Sequence, residues 1–125
     1  MKVLSLLFTA LLAMSCNDKA VDNDVVGAWQ HVESLSDIGN GNATFHRVNS
    51  EKTLLFTAYG TVISNQNVCT GNNFKEGTVA TWNPEKKEFN VDDCVASYEL
   101  DKELGTLTVH YRCMEACAEK YVRPE

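Results

Sequence analysis

The 125-residue chain has only two prolines, and its 11 lysines and arginines are outnumbered by 17 aspartates and glutamates. With a formal net charge of −6 and its cations scattered, it lacks the clustered basic face that nucleic-acid binding requires. Long apolar runs are missing too. The longest, Val3 to Met14, is broken at Ser5 and Thr9 and falls short of the roughly 20 residues that span a bilayer. There is no Gly-x-Ser-x-Gly, no Gly-rich phosphate loop beside a helical pattern, no Cys-x-x-Cys and no suggestively placed cysteine–histidine pair. No catalytic residue, metal or cofactor is expected, and the chain reads as a non-enzyme. Internal repeats, low-complexity tracts and long helical patterns are also lacking.

What is present begins with Met1 to Ser15, which has one lysine, an apolar stretch and no acid, the pattern of an export signal. It ends in Ala13-Met14-Ser15 directly before Cys16. These residues resemble a lipobox, in which small residues admit the lipoprotein peptidase and the next cysteine takes a diacylglyceryl thioether, with palmitate-type chains, before cleavage. Cleavage there leaves 110 residues and, with Lys2 gone, moves the charge to −7. Residues 17 to 24, Asn-Asp-Lys-Ala-Val-Asp-Asn-Asp, are polar and aperiodic, as a flexible tether is. The expected organisation is a signal peptide over 1–15, a lipidated cysteine and tether over 16–24, and one domain over 25–125.

Five cysteines are an odd number, and an exported protein rarely keeps an unpaired thiol. Assigning Cys16 to lipid leaves Cys69, Cys94, Cys113 and Cys117 for two disulfides, which persist outside the cytosol and support a small core. Three connectivities are open in principle. If 112–118 is a tight hairpin with a three-residue loop, Cys113 faces Cys117. The same register pairs Tyr111 with Glu119, Val109 with Tyr121 and Leu107 with Arg123, all on the apolar, inward face. Cys69 and Cys94 then remain for each other. A zinc site competes poorly, because the pair spacing is not repeated elsewhere.

From Val25 onward the chain is a series of short β-branched and aromatic runs between turn signals. They are Val25–Ser34, Thr44–Val48, Thr53–Ala58, Thr61–Cys69, Gly77–Trp82, Glu88–Val91, Val95–Leu100, Thr106–Arg112 and Ala118–Arg123. Asn40-Gly41-Asn42, Tyr59-Gly60, Asn83-Pro84 and the Asp101–Gly105 stretch separate them. Pro84 and Pro124 both fall where a missing backbone donor costs little. The expectation is an all-β, antiparallel up-and-down meander of about eight strands closing into a small barrel, since closure leaves no edge exposed. A two-sheet sandwich is the alternative.

Val26-Gly27-Ala28-Trp29, a Gly-x-Trp on the first run, resembles the opening of lipocalin-like proteins. Leu55-Phe56-Thr57-Ala58-Tyr59-Gly60-Thr61 resembles a strand hairpin of the small bacterial lipocalin-like lipoproteins, and the closing Lys120-Tyr121-Val122-Arg123 is similar to theirs. The acidic stretch after Cys16 resembles sorting signals of Bacteroidetes-type lipoproteins. The resemblance implies a lipocalin-like barrel in which Arg123 lies over Trp29 at the closed end, a cation–π contact with no catalytic role.

On the first run His31 and Glu33 share parity with Trp29. An inward patch of Trp29, His31, Glu33, Tyr111, Glu119, Tyr121 and Arg123 is therefore the candidate ligand site. The competing reading is that His31 and Glu33 only satisfy one another or water at a strand end. His46 and His110 read as surface residues, and Asp92-Asp93 as a solvated turn. The function expected is that of a cell-envelope binding protein, anchored by lipid in a bacterial outer membrane and facing the periplasm or the cell surface. Its ligand would be a small apolar or amphiphilic molecule. The alternative is a non-enzymatic module, including a protease-inhibitor-like barrel, that meets an envelope protein through its outer surface or loops.

Overall fold

The computed structural model describes residues 23–36, 43–68, 77–92, 94–112 and 117–125. The signal segment, Cys16, most of the tether, Cys69, Asp93 and Cys113 lie outside them. After a short 3-10 turn, Asn23–Val25, come β1 (Gly27–Ser36), β2 (Thr44–Arg47), β3 (Thr53–Phe56), β4 (Thr61–Ser64) and β5 (Thr78–Asn83). Then follow β6 (Glu88–Val91), β7 (Cys94–Asp101), β8 (Thr106–Tyr111) and β9 (Ala118–Val122). All pairings are antiparallel, in the order β1-β3-β4-β5-β6-β7-β8-β9, and β9 returns to pair with β1. Eight strands thus close an up-and-down barrel, as the spacing of short strands implied.

The ninth strand, β2, is an addition to that scheme. It pairs with the far half of β1 (Glu33↔Arg47 to Ser36↔Thr44), while β3 takes the near half (Gly27↔Phe56 to Gln30↔Thr53). The two lie in line along one edge of β1, and the chain leaves that edge between Val48 and Lys52.

Turn chemistry sets the ends of the strands. Between β3 and β4, Gly60 takes a positive φ of 85° and the Thr57 and Thr61 hydroxyls bond at 2.6 Å. Asn83 Oδ1 accepts the amides of Glu85 and Lys86, and Asp101 Oδ1 accepts that of Leu104. These three turns, the start of β1 and the end of β9 lie at one end of the barrel. The other end carries residues 48–52 and 65–68, Arg112, and Cys94 and Cys117.

Alternation fills the interior. Leu54, Phe56, Val62, Ala80, Phe89, Ala96, Leu107 and Val109 are buried, while their neighbours Leu55, Ile63 and Val79 face out. Phe56 meets Trp82, Phe89 and Tyr98 edge-on at centroid distances of 5.3, 5.8 and 5.4 Å, and Trp82 Nε1 donates to the Tyr98 hydroxyl. At the closed end Trp29 is 2% exposed and donates to the Val25 carbonyl. The Arg123 guanidinium lies 4.0 Å from the Trp29 ring and donates to the carbonyls of Asp24, Val26 and Ala28, the placement the resemblance implied. Gly27 belongs to this device, because its φ is 117° and a Cβ there would stand 2.7 Å from Arg123 Nη1.

Two expectations need correction. The β8–β9 register pairs Val109 with Glu119 and Leu107 with Tyr121, two residues away from the expected one. A shift of two preserves which side chains face inward, so facial patterning alone does not separate the registers. Closure does, because β9 must also pair with β1 through His31↔Tyr121. The Tyr111 amide donates to the Cys117 carbonyl, so Cys117 continues the same register opposite Tyr111, and Cys113, expected to face it, lies outside the described residues. The run expected over Thr61–Cys69 stops at Ser64, because Thr78 Oγ1 captures the Gln66 carbonyl and the Val68 amide in a turn.

Candidate functional site

At the open end, four of the candidate residues converge. Glu119 Oε1 accepts from the Tyr111 hydroxyl at 2.5 Å and from the Tyr121 hydroxyl at 2.9 Å. Its Oε2 lies 3.2 Å from His31 Nε2. The residue that completes this cluster is Lys52, 3% exposed, whose Nζ donates to Glu119 Oε1 at 2.9 Å, to the Val68 carbonyl at 3.1 Å and to the Tyr111 hydroxyl at 3.4 Å. A buried ammonium is tolerable only with such partners.

Sequence reasoning missed Lys52, although a signal was present. Lys52, Leu54 and Phe56 share parity, so a lysine stands in line with the two buried residues of β3.

The other candidates fall elsewhere. Trp29 and Arg123 form the floor at the opposite end of the barrel. Glu33 is displaced from the inner face by a bulge in β1, where the pairing with β9 passes from His31↔Tyr121 to Glu33↔Lys120 with Val32 left over. Beyond the bulge it is Ser34 that sits opposite Glu119, and Ser34 Oγ lies 2.9 Å from His31 Nε2. Only the Glu33 backbone carbonyl reaches the ring, at 3.0 Å. His46 and His110 are exposed, and Asp92 lies in an exposed turn with φ 50°.

The departure of the chain from β1 over 48–52 leaves a window in the wall. Behind it is a pocket of 470 Å³ that opens to solvent, lined by His31, Ser34, Gln66 and Glu119 together with residues 48–52. Ser50 Oγ is 2.8 Å from His31 Nδ1 and accepts the Lys52 amide, so Nδ1 serves as acceptor and Nε2 carries the proton toward Glu33 O, Ser34 and Glu119. Tyr111 and Tyr121 stand behind the pocket and brace its carboxylate. A second, closed-end recess of 80 Å³ lies between Pro84, Lys87 and Tyr98. Among the described residues, no group of three or more His, Cys, Asp or Glu is placed to hold a metal ion.

Burial is the largest influence on His31 and pushes its pKa below the ordinary 6.5. The Lys52 cation adds to this, and Glu119 and the Glu33 carbonyl oppose it. For Glu119 burial alone would raise the carboxyl, but Lys52, the Tyr111 hydroxyl and His31 outweigh it and hold the group below its ordinary value. Burial first, and then the charge of Glu119, push the Tyr111 hydroxyl well above the ordinary tyrosine range; for Tyr121 the order is burial, Tyr111 and Glu119. These directions favour a neutral imidazole, a carboxylate and two un-ionised phenols at neutral pH.

Ser50, His31 and Glu119 stand in the order of a nucleophile relay. A relay must pass through an imidazolium, which burial and Lys52 disfavour here, and the Glu119 charge is already spread over Lys52 and two phenols. The arrangement is better suited to fixing the ring and presenting a polar wall.

A pH dependence follows from these directions. Both groups bind protons more readily in the unfolded chain than in the fold, so their stabilisation is complete above the ordinary His value of 6.5. It should fall as pH drops from there toward the lowered His31 value, and fall again below the ordinary carboxylate value of 4.5 as Glu119 is protonated. Urea midpoints measured across this range should show both declines, and His31→Gln should remove the first and keep the second. Midpoints that rise on acidification would contradict this.

The fold and the window together define a closed antiparallel β-barrel with a polar pocket at one end and a plugged, aromatic interior below it. No family model matches the chain, and no curated protein matches it.

Proposed function

We propose that the protein is a non-enzymatic binding protein of the bacterial cell envelope, lipid-anchored through Cys16, whose open-end pocket takes the polar part of a small molecule. The single observation that carries this reading is the 470 Å³ pocket, which falls in the size range of small-molecule sites and is walled mainly by hydrogen-bonding groups. Of the apolar and amphiphilic ligands that the lipocalin-like resemblance implies, this lining favours one that presents a polar head. The tether and the outer-membrane location rest on the sequence pattern around Cys16.

Two disulfides among Cys69, Cys94, Cys113 and Cys117 belong to the same reading. Cys94 begins β7 and Cys117 precedes β9, with β8 between them. That separation of two strands, about 9 to 10 Å, is too wide for a direct bridge. Cys69–Cys94 with Cys113–Cys117, or Cys69–Cys117 with Cys94–Cys113, are the pairings proposed.

The test is to extract the full-length protein from membranes under native conditions and identify what leaves it on denaturation, beside Gln66→Trp, which fills the pocket mouth. A molecule with hydrogen-bonding groups released by the parent and lacking from the variant is the expected result. Equal recovery from both, or nothing from either, would overturn the pocket reading.

A second reading, docking to an envelope protein, is favoured by one outer row. Ala28, Leu55, Ile63 and Val79 are in direct register across β1, β3, β4 and β5, with Val79 61% exposed.

A further inference from the structure

Strand direction assigns every connection to one end of the barrel. The chain enters at Asn23–Val25, at the foot of β1, and the register Gly27↔Phe56 puts the β3–β4 turn at that same foot. The β5–β6 turn follows there, and so does the β7–β8 turn, whose Lys102 forms an ion pair with Asp24. The pocket is at the opposite end. Whatever holds residues 1–22 therefore pulls on the closed end.

That end carries the two most exposed large apolar side chains among the described residues, Tyr59 at 94% and Leu104 at 74%. Neither is a loose side chain on a wandering loop. Tyr59 is held in a turn by the Thr57 hydroxyl, which accepts its amide, and by Gly60 at positive φ. Leu104 is held by the Asp101 carboxylate, which accepts its amide, and by Gly105 at φ 67°. In the closed ring β3–β4 and β7–β8 are half a circuit apart, so the two tips stand on opposite sides of the rim. The β5–β6 turn between them bears Pro84, Lys86 and Lys87, and the rim also holds Lys102 and Arg123 among Glu85, Glu103 and Glu125. Basic and acidic groups are close to balance there, so neither an anionic nor a cationic partner is selected by charge. Two protruding apolar tips with polar flanks, on the side where the chain arrives, suit a bilayer interface, where tyrosine and leucine at the surface level are favourable and long lysines reach back to water.

We propose that the closed end is a membrane-contact surface, with Tyr59 and Leu104 dipping into the lipid interface on either side of the tether and the pocket directed away from the bilayer. The inference rests on the lipid anchor at Cys16 proposed above. From Cys16 to Asn23 there are seven residue steps, at most about 24 Å of extended chain, so the closed end is held within that distance of the lipid surface. Opposed tips then set the barrel upright, where a single tip would leave it free to roll.

The experiment uses the full-length protein purified from membranes, its intact mass taken first, and then reconstituted into phosphatidylcholine nanodiscs with and without brominated chains. Tyr59→Trp, Leu104→Trp and Glu51→Trp each add one indole, the last beside the pocket, above a parent background from the buried Trp29 and Trp82. Bromolipid should cut the added emission at 59 and at 104 by about twofold, leave that at 51 unchanged, and do so equally at low and high salt. Amide exchange of the unsubstituted protein should slow at 57–60 and 102–105 in nanodiscs relative to detergent, which checks the surface without any substitution. Acylated protein with no quenching at 59 and 104, or with equal quenching at 51, overturns the orientation while leaving the anchor intact. A mass without acyl chains overturns the anchor, and the membrane-contact surface with it. A blue shift at 59 without quenching would place this end against protein, the scaffold or a second copy, and overturn the proposal.

Discussion

Lys52→Ala is expected to lower the unfolding free energy by about 3 to 5 kcal/mol, a large fraction of what a domain of this size possesses. The lysine is 3% exposed and its ammonium serves three acceptors, the Glu119 carboxylate, the Val68 carbonyl and the Tyr111 hydroxyl. Removing it leaves a carboxylate at the barrel mouth with two phenols and a neutral histidine, and leaves the Val68 carbonyl without its donor. The loss comes mainly from the charge left behind, so Lys52→Met, which keeps most of the stem, should be nearly as damaging. Adding Glu119→Gln should recover part of it, because the glutamine oxygen can still accept from Tyr111 and Tyr121 while carrying no charge. A double-mutant cycle on urea denaturation should therefore return a coupling of about 1 to 3 kcal/mol. Strictly additive single-variant losses would show that Lys52 and Glu119 act independently, contrary to their 2.9 Å contact.

The same cluster shows what was legible in the sequence. Alternation in Thr53–Phe56, Thr106–Tyr111 and Ala118–Val122 told which side chains face inward, and His31, Tyr111, Glu119 and Tyr121 meet where that parity placed them. Parity has period two, so it could not distinguish a β8–β9 register from one shifted by two residues. Glu33 was lost from the site for a related reason. A bulge resets parity along β1, and nothing in Gln30-His31-Val32-Glu33 marks one, since all of these residues suit a regular strand.

The window was less visible still. Thr44 to Phe56 reads as two strands with a polar break, and only the pairing of both with β1 shows that they lie in line along one edge. Only then does Val48–Lys52 become a gap in a wall rather than an ordinary connection. The pocket exists because that gap and the bulge in β1 meet at the same level, one supplying the opening and the other turning Ser34 inward.

Phe56→Ala should have an effect of comparable size, about 3 to 5 kcal/mol, through a different mechanism. Phe56 is fully buried and touches three aromatic rings edge-on, so truncation removes both its own transfer free energy and the quadrupole-matched contacts of Trp82, Phe89 and Tyr98. Rings held in a closed barrel cannot collapse far into the space. Part of it should persist as a dry cavity lined by Leu54, Val62 and the remaining aromatics. An apolar cavity of that kind takes up small hydrophobic molecules. The variant, and not the parent, should therefore bind benzene-sized apolar probes, detectable as a probe-dependent rise in melting temperature. Phe56→Leu should lose less stability and bind less, because more of the space stays filled. An aromatic plug fills the middle of the barrel, which accords with the proposal that recognition falls to the polar mouth above it. If the parent bound such probes as well as Phe56→Ala does, the plug would not be closed and an apolar ligand inside the barrel would regain its place.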